Sequence, residues 1–210
     1  FLDHVASTLM GPSILADSFR IVGRLAFPIF CYFLVQGFLH TSSRRRYALR
    51  LFVLALVSQI PYMFCTLSIG LNVVFELLAG LLMLNFVTRL VIRPVDFMGL
   101  LASLLLASLA DYGMMGLVVI LTMYLVYCSV IDSGHAGQLF IVKSRLFSVL
   151  LVIFLFLISL EFCGAAVLAL PLIDRCSDEP GLKLSRFVTY GFYPLHLVFL
   201  WFLQVALPLV

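Results

Sequence analysis

The stretch IVGRLAFPIFCYFLVQGFLH, residues 21–40, decides the fold class of this chain. It is almost entirely apolar over about 20 residues, the length that an α-helix needs to cross the hydrocarbon core of a bilayer. Runs such as Leu146–Leu160 also lack the alternation of apolar and polar residues that strands of an outer-membrane barrel require. The sequence therefore predicts an all-α protein, a polytopic bundle of membrane helices.

The composition supports the same class. Hydrophobic residues make up 64% of the sequence and charged residues 11%, whereas soluble domains are about 45–50% apolar and about 25% charged. The net charge of +3 is small and gives no reason to expect a nucleic-acid partner. The five cysteines are scattered and show no CxxC spacing, so the sequence predicts neither a disulfide framework nor a metal site.

Eight apolar segments predict eight transmembrane helices within a single domain, residues 1–210. The segments lie roughly at 1–10, 21–40, 47–66, 71–92, 97–110, 112–131, 146–173 and 187–209. Because only ten residues precede the Gly11-Pro12 break, the first segment is expected to be a truncated helix. The sequence contains no evident soluble domain, repeat or low-complexity stretch.

Lysine and arginine placement predicts the orientation of these helices. The loops after segments 2, 4 and 6 carry eight basic residues, and the other loops carry four. We therefore expect the loops after even-numbered segments to be cytoplasmic. Both termini are then cytoplasmic as well, and the last helix enters the membrane from the outside.

Polar residues from several helices then share the outer half of the bilayer. At about 1.5 Å per residue, His4 lies on the order of 9 Å below the outer end of its helix. Asn72 and Glu76 share one helical face because they are four residues apart. The other residues near this depth are Asp3, Arg24, Gln59, Asp111, Tyr193 and His196. Their common depth predicts one polar cavity that opens outward.

His4 is the strongest candidate for a chemical role. An imidazole can act as a general base near neutral pH, and charge within a membrane helix costs at least about 2.5 kcal/mol, which favours a function. Adjacent helical residues point about 100° apart, so Arg24 is a better partner for Asp3 than His4 is. A structural Asp3–Arg24 ion pair is as consistent with the sequence as a chemical role. Glu76 could brace the bundle instead of tuning His4, and Asp111 could cap a helix.

A second polar strip runs toward the cytoplasm. Tyr32, Gln36 and His40 lie at i, i+4 and i+8 on one face of their helix. This strip leads to three consecutive basic residues, Arg44, Arg45 and Arg46. Arginine clusters bind phosphate groups. The alternative is an anchor that contacts anionic lipid headgroups.

Short motifs occur in order along nearly the whole chain. The most specific are GRLAFPIF at 23–30 and SQIPY at 58–62. The others are LDH at 2–4, QGF at 36–38, HT at 40–41, NVVF at 72–75, DYG at 111–113 and FYPLHL at 192–197. Together they resemble the TraX family of bacterial inner-membrane proteins. Region 132–186 matches that family poorly, which leaves the acceptor open.

The resemblance implies a membrane acyltransferase of the bacterial inner membrane. The namesake of the family is implicated in N-acetylation of conjugative F-pilin, and the family looks related to the acyltransferase-3 group. In that group an intramembrane histidine is catalytic and acyl-CoA is the donor. By position, the resemblance makes His4 the base, with Asp3 or Glu76 tuning it. It also implies acetyl-CoA as the donor, and we expect this donor to bind along Gln36 and His40 with its phosphates at the three arginines.

The acceptor would be an amine or a hydroxyl, on a protein, a sugar or a small molecule. The remaining candidates for binding the substrate or its oxyanion are Arg24, Gln59, Asn72, Asp111, Tyr193 and His196. A proton-coupled transporter or flippase that uses the same polar residues is the alternative function. A structural subunit of a larger membrane assembly is a third. Membrane lipid is an expected partner in all three.

Overall fold

The computed structural model describes residues 1–89, 93–128 and 186–207. Its helices are α1 (Leu2–Leu9), α2 (Ile14–Arg24), α3 (Ala26–His40), α4 (Arg44–Thr66), α5 (Val73–Val87), α6 (Pro94–Leu109), α7 (Gly113–Val126) and α8 (Arg186–Ala206). Within these three ranges the protein has no strand beyond one isolated bridge between Leu71 and Ala110. The prediction of an all-α fold is confirmed. The predicted segment 146–173 lies outside the described residues.

Local capping sets the second helix boundary, where the apolar run alone misplaced it. The side chain of Ser13 accepts a hydrogen bond from the Ala16 N–H at 3.1 Å, so α2 begins at Ile14 and not at residue 21. From there α2 and α3 follow each other almost without interruption. The junction is at Leu25, whose N–H bonds to the Val22 carbonyl at 3.3 Å. The helical segment is therefore longer than the apolar run from which it was predicted.

Apolar side chains cover an outward face of α4. The exposed positions recur every three or four residues and are Leu49, Phe52, Val53, Leu56, Val57, Ile60 and Phe64. Large exposed apolar patches are rare on soluble monomers and mark surfaces that meet lipid or a partner. By length and composition, Ile14–His40 and Arg44–Thr66 can each cross a membrane. In the described part of the chain, these features suggest a membrane protein.

α5 lies at the centre of the described bundle, with Ala79 and Leu84 completely buried. Gly80 allows α7 to approach closely, because a Cβ at this position would lie 2.9 Å from Cγ2 of Ile120. From α6, the Ser103 hydroxyl donates to the Ala79 carbonyl at 2.7 Å. Small residues and interhelical hydrogen bonds are the contacts that hold helices together where lipid is as apolar as the side chains.

α8 runs parallel to α4, with both C-terminal ends at the same end of the bundle. From one contact to the next, the residue numbers rise in both helices. Leu197 packs with Tyr62, and Trp201 packs with Phe64 at 5.5 Å between ring centroids. Gln204 Nε2 then donates to the Cys65 carbonyl at 3.0 Å. α1 ascends in the same direction, since Gln204 also donates to the Thr8 carbonyl at 3.4 Å. This end of the bundle, where α1, α4 and α8 finish, is the outer end of the predicted topology.

The predicted direction of the last helix is therefore wrong for this bundle, because α8 finishes at the end where α1 and α4 finish. The prediction assigned Arg186 to an outer loop. Parallel packing instead places the start of α8, at Arg186, at the end where α4 begins with Arg44. This arrangement puts one more basic residue at the inner end, which the positive-inside rule favours.

Candidate functional site

Two histidines from distant parts of the sequence meet between α1 and α8. The rings of His4 and His196 lie 5.7 Å apart between centroids, with their planes tilted by 32°. α1 and α8 both pack against α4, and that shared support brings the two histidines together. His196 is buried, whereas His4 is partly exposed. The prediction placed both side chains at one depth, and the structure places them in contact.

His196 has a defined hydrogen-bonding arrangement. Its Nδ1 lies 3.0 Å from the carbonyl oxygen of Phe192, one turn earlier in α8. A carbonyl oxygen can only accept, so Nδ1 carries the hydrogen and Nε2 of the neutral ring is an acceptor. That Nε2 is buried and has no hydrogen-bond partner among the described residues. It is therefore available to a substrate proton that enters the site.

Tyr62 and Asp111 complete the surroundings of His4. The rings of Tyr62 and His4 stand edge to face, with centroids 6.4 Å apart, and the Tyr62 hydroxyl donates to an oxygen of Asp111. Asp111 is not a helix cap, because α7 begins at Gly113 and its N-cap residue makes no side-chain hydrogen bond. The expectation of a cap is therefore wrong, and Asp111 belongs to the site through Tyr62.

Tyr193 also lies in this cluster, with its ring 5.3 Å from that of His196. Its hydroxyl is buried and lies beside the backbone of Val73, at the start of α5. The candidates that the structure brings together are thus His4, His196, Tyr193 and Asp111, with Tyr62 as an addition. The sequence offered one signal for Tyr62, its position in the SQIPY motif beside Pro61.

Asp3 pairs with Arg24, as predicted. Arg24 Nε lies 3.9 Å from Asp3 Oδ1, and both side chains are partly exposed. Gly23 makes this approach possible, since a Cβ there would lie 2.6 Å from the Cβ of Asp3 and 2.8 Å from its Cα. The pair joins α1 to α2 and fixes the backbone next to His4, which is the structural alternative of the two roles considered.

Gln59 and Asn72 form an amide clamp and do not face an open cavity. Asn72 Nδ2 donates to the Ala55 carbonyl and to Gln59 Oε1, both at 2.9 Å. Its Oδ1 caps α5 by accepting from the Val74 N–H at 2.9 Å. Gln59 Nε2 donates to the Gly70 carbonyl at 2.8 Å. Both hydrogens of the Asn72 amide are therefore occupied, and an oxyanion role for Asn72 does not fit this geometry.

Glu76 lies apart from the histidines, in the first turn of α5. Its side chain is completely buried, and in the described part of the chain neither carboxyl oxygen has a hydrogen-bond partner. It packs directly against Gly116 of α7, where no side chain could be accommodated. Among the contacts of the described residues, none joins Glu76 to His4. The predicted tuning of His4 by Glu76 therefore has no direct contact to support it.

The second polar strip lies toward the other end of α3 and α4. Gln36 Nε2 donates to the Tyr32 hydroxyl at 2.8 Å, in agreement with the predicted shared face. Arg44 stacks over the Phe38 ring at 4.1 Å, and Nη1 lies 3.5 Å from Asn85 Oδ1. Arg45, Arg46 and His40 are exposed. Arg44 and Tyr62 are separated by about 27 Å along α4 at 1.5 Å per residue.

Comparisons with known proteins agree with the motifs. A family model described as "TraX protein" matches residues 1–204. A protein of Dichelobacter nodosus named "Probable fimbrial assembly protein FimC, serogroup H1" is 37% identical over 59 residues, which cover 28% of this chain and 24% of that protein. The chain thus aligns with about a quarter of the length of this relative. No solved structure matches the chain.

Proposed function

The chain belongs to the TraX family, and from this membership and the histidine pair we propose that it is a membrane-embedded acyltransferase. It would move an acetyl group from acetyl-CoA to an amine or hydroxyl acceptor in a bacterial inner membrane. The observation that carries the proposal is the meeting of His4 and His196 at 5.7 Å. Two imidazoles in contact are costly within a membrane bundle and favour proton-transfer chemistry.

In this proposal His4 is the general base. It removes a proton from the acceptor as the acceptor attacks the thioester carbonyl. The carbon–sulfur bond then breaks, and the CoA thiolate leaves with the proton that His4 returns. His196 offers Nε2 as a second acceptor beside this path. Arg24, which pairs with Asp3, is the candidate cation for the oxyanion.

The donor would bind at the inner end of the bundle. Arg44, Arg45 and Arg46 form the first turn of α4, where the positive end of the helix dipole favours anions. The phosphates of CoA would lie there, and its pantetheine arm would follow Gln36 and His40. Because the histidines lie toward the other end of the bundle, the arm must reach deep between the helices.

The identity of the acceptor can be determined by comparing cells with and without the gene. The fimbrial assembly name of the relative supports a component of a surface appendage as the first candidate. Mass spectrometry of membrane and surface proteins and of glycans, from cells with and without the gene, should find one acetyl group that is lost with the gene and restored by complementation. Identical acetylation in both strains contradicts the function.

A thermal-shift measurement should detect the donor. Acetyl-CoA is expected to raise the Tm of the purified protein, because a ligand that binds only the folded state stabilises it. Replacing Arg44, Arg45 and Arg46 together by serine should remove most of this shift. The control is Arg20→Ser, which removes an exposed charge from α2. An unchanged shift in the triple variant would place the donor phosphates elsewhere.

A proton-coupled transporter is the second candidate, and one observation favours it. The buried, unpartnered carboxyl of Glu76 is the kind of group that carries protons through a membrane bundle. Proton-dependent solute flux in liposomes, together with no response to CoA, would favour this candidate over the enzyme.

A further inference from the structure

Tyr62 lies between the two helices that carry the histidines. With Leu197 and Leu200 of α8 it forms a buried cluster, against which Val5 of α1 packs. The ring is 3% exposed and stands at 78° to the imidazole of His4. The flat side of one ring therefore meets the edge of the other, and Tyr62 forms a wall beside His4.

The hydroxyl of Tyr62 is held from another part of the fold. Its partner Asp111 lies in the turn between α6 and α7. This turn is fixed to the start of α5, because the Leu71 N–H donates to the Leu109 carbonyl at 2.8 Å. Gly113 follows with φ of +58°, a conformation that favours glycine. Asp111 therefore lies in a turn whose position is fixed by this backbone hydrogen bond.

Asp111 makes no salt bridge within the described ranges. The ion pairs there involve Asp3 and Asp96, so the recorded side-chain partner of Asp111 is the Tyr62 hydroxyl. Other charged or titratable side chains near this turn belong to Asp3, Arg24, Glu76, Tyr112 and Tyr193. A carboxylate that accepts from a buried hydroxyl makes a charge-assisted bond, which is stronger than a neutral one.

We propose that Tyr62 is a positioning residue for His4 and that Asp111 locks it in place. This inference rests on the proposed acyltransferase function of His4. Packing fixes the body of the Tyr62 ring and Asp111 fixes its tip, so the ring cannot turn away from the imidazole. A base that is held in one orientation meets its substrate proton in the reactive geometry. The pair would therefore act on catalysis through His4 and not on donor binding.

The test uses the full chain in lipid nanodiscs with ¹⁵N-labelled histidine, of which the chain has 4. Label transfer from acetyl-CoA into isolated membranes that contain the natural acceptor gives kcat and KM. Tyr62→Phe keeps the ring and removes the hydroxyl, and it should lower kcat about tenfold. KM for acetyl-CoA should stay constant, and the ¹⁵N signals of His4 should broaden or split. Tyr47→Phe, in the same helix at its other end, is the matched control.

Two variants of Asp111 separate positioning from general stability. Asp111→Asn keeps an oxygen that accepts from Tyr62 and should retain most of kcat. Asp111→Leu keeps no acceptor and should match Tyr62→Phe, and combining Asp111→Leu with Tyr62→Phe should add little. Wild-type kcat with unchanged His4 signals in Tyr62→Phe overturns the inference. A loss seen only in Tm and in the amount of folded protein overturns it as well.

The results separate failure of the positioning role of Tyr62 from failure of the acyltransferase function. If the wild-type protein transfers no label, the acyltransferase proposal fails, while the ¹⁵N signals of His4 still decide whether Tyr62 positions the imidazole. If transfer occurs and is indifferent to Tyr62→Phe, the function stands and the positioning role fails.

Discussion

His4→Ala is expected to abolish acyl transfer, with a fall of at least about 100-fold, while the protein still folds. General base catalysis typically contributes about 10²–10⁴ to a rate. The side chain is partly exposed, and its contacts within the described residues are with the rings of Tyr62 and His196. Loss of this side chain should therefore abolish acyl transfer and change the Tm only slightly. Label transfer from acetyl-CoA measures the first, and thermal unfolding of the purified protein measures the second.

Ser7→Ala is the matched control for His4→Ala. Ser7 lies on the same helix, is exposed, and donates to the carbonyl of His4 without touching its imidazole. It should keep wild-type activity. Normal transfer by purified His4→Ala would remove His4 from the mechanism and favour His196 as the base, since its buried Nε2 has no partner among the residues that the structure describes. Loss of activity in both Ser7→Ala and His4→Ala would point to a general disturbance of α1.

Helix periodicity accounts for the contacts that the sequence predicted well. Residues four apart share a face, so the bond between Gln36 and Tyr32 follows from spacing alone. The side chains of neighbouring residues in a helix point in different directions, so Asp3 pairs with Arg24 and not with His4. The existence of the helices follows from apolar runs of membrane length, because few other structures satisfy the backbone in lipid.

The contacts that the sequence missed join distant segments. Tyr62 presents mostly an apolar ring, and its partner Asp111 lies 49 residues away, so no local pattern marks the hydroxyl. Asn72 was expected to serve an oxyanion because it is polar and deep. Its position at the start of α5 instead commits its oxygen to a helix cap, and its hydrogens bond Ala55 and Gln59. Depth in the bilayer alone cannot distinguish a polar residue that holds the helices together from one that faces a substrate.

The direction of α8 was missed for a related reason. Counting basic residues assigns each loop to one face only if every span between the loops is counted correctly. The predicted segment that precedes α8, 146–173, lies outside the described residues. The direct contact of Gln204 with Cys65 does not depend on that count. In this direction α8 lies beside α1 with His196 level with His4.

Gly23→Ala is expected to reduce activity by roughly 100-fold, because displacing a catalytic group by about 1 Å can cost that much. The added Cβ would lie 2.6 Å from the Cβ of Asp3 and 2.8 Å from its Cα. These are atoms at the backbone of α1, which cannot swing aside as the end of a long side chain can. α1 must move away from α2, and His4 is the next residue. The Asp3–Arg24 pair should weaken at the same time, so Tm should fall as well.

Gly99→Ala is the control that makes this prediction specific. Gly99 also lies within a helix, but a Cβ there meets no atom within 4 Å. Adding a methyl group in open space should leave activity unchanged and not lower Tm, since alanine favours helix over glycine. If Gly23→Ala behaves like Gly99→Ala, α1 is not clamped at Asp3. The precise placement of His4 would then have to come from Tyr62 and α8 alone. If only Gly23→Ala loses activity in protein that remains folded, the close crossing of α1 and α2 is what holds His4 in place.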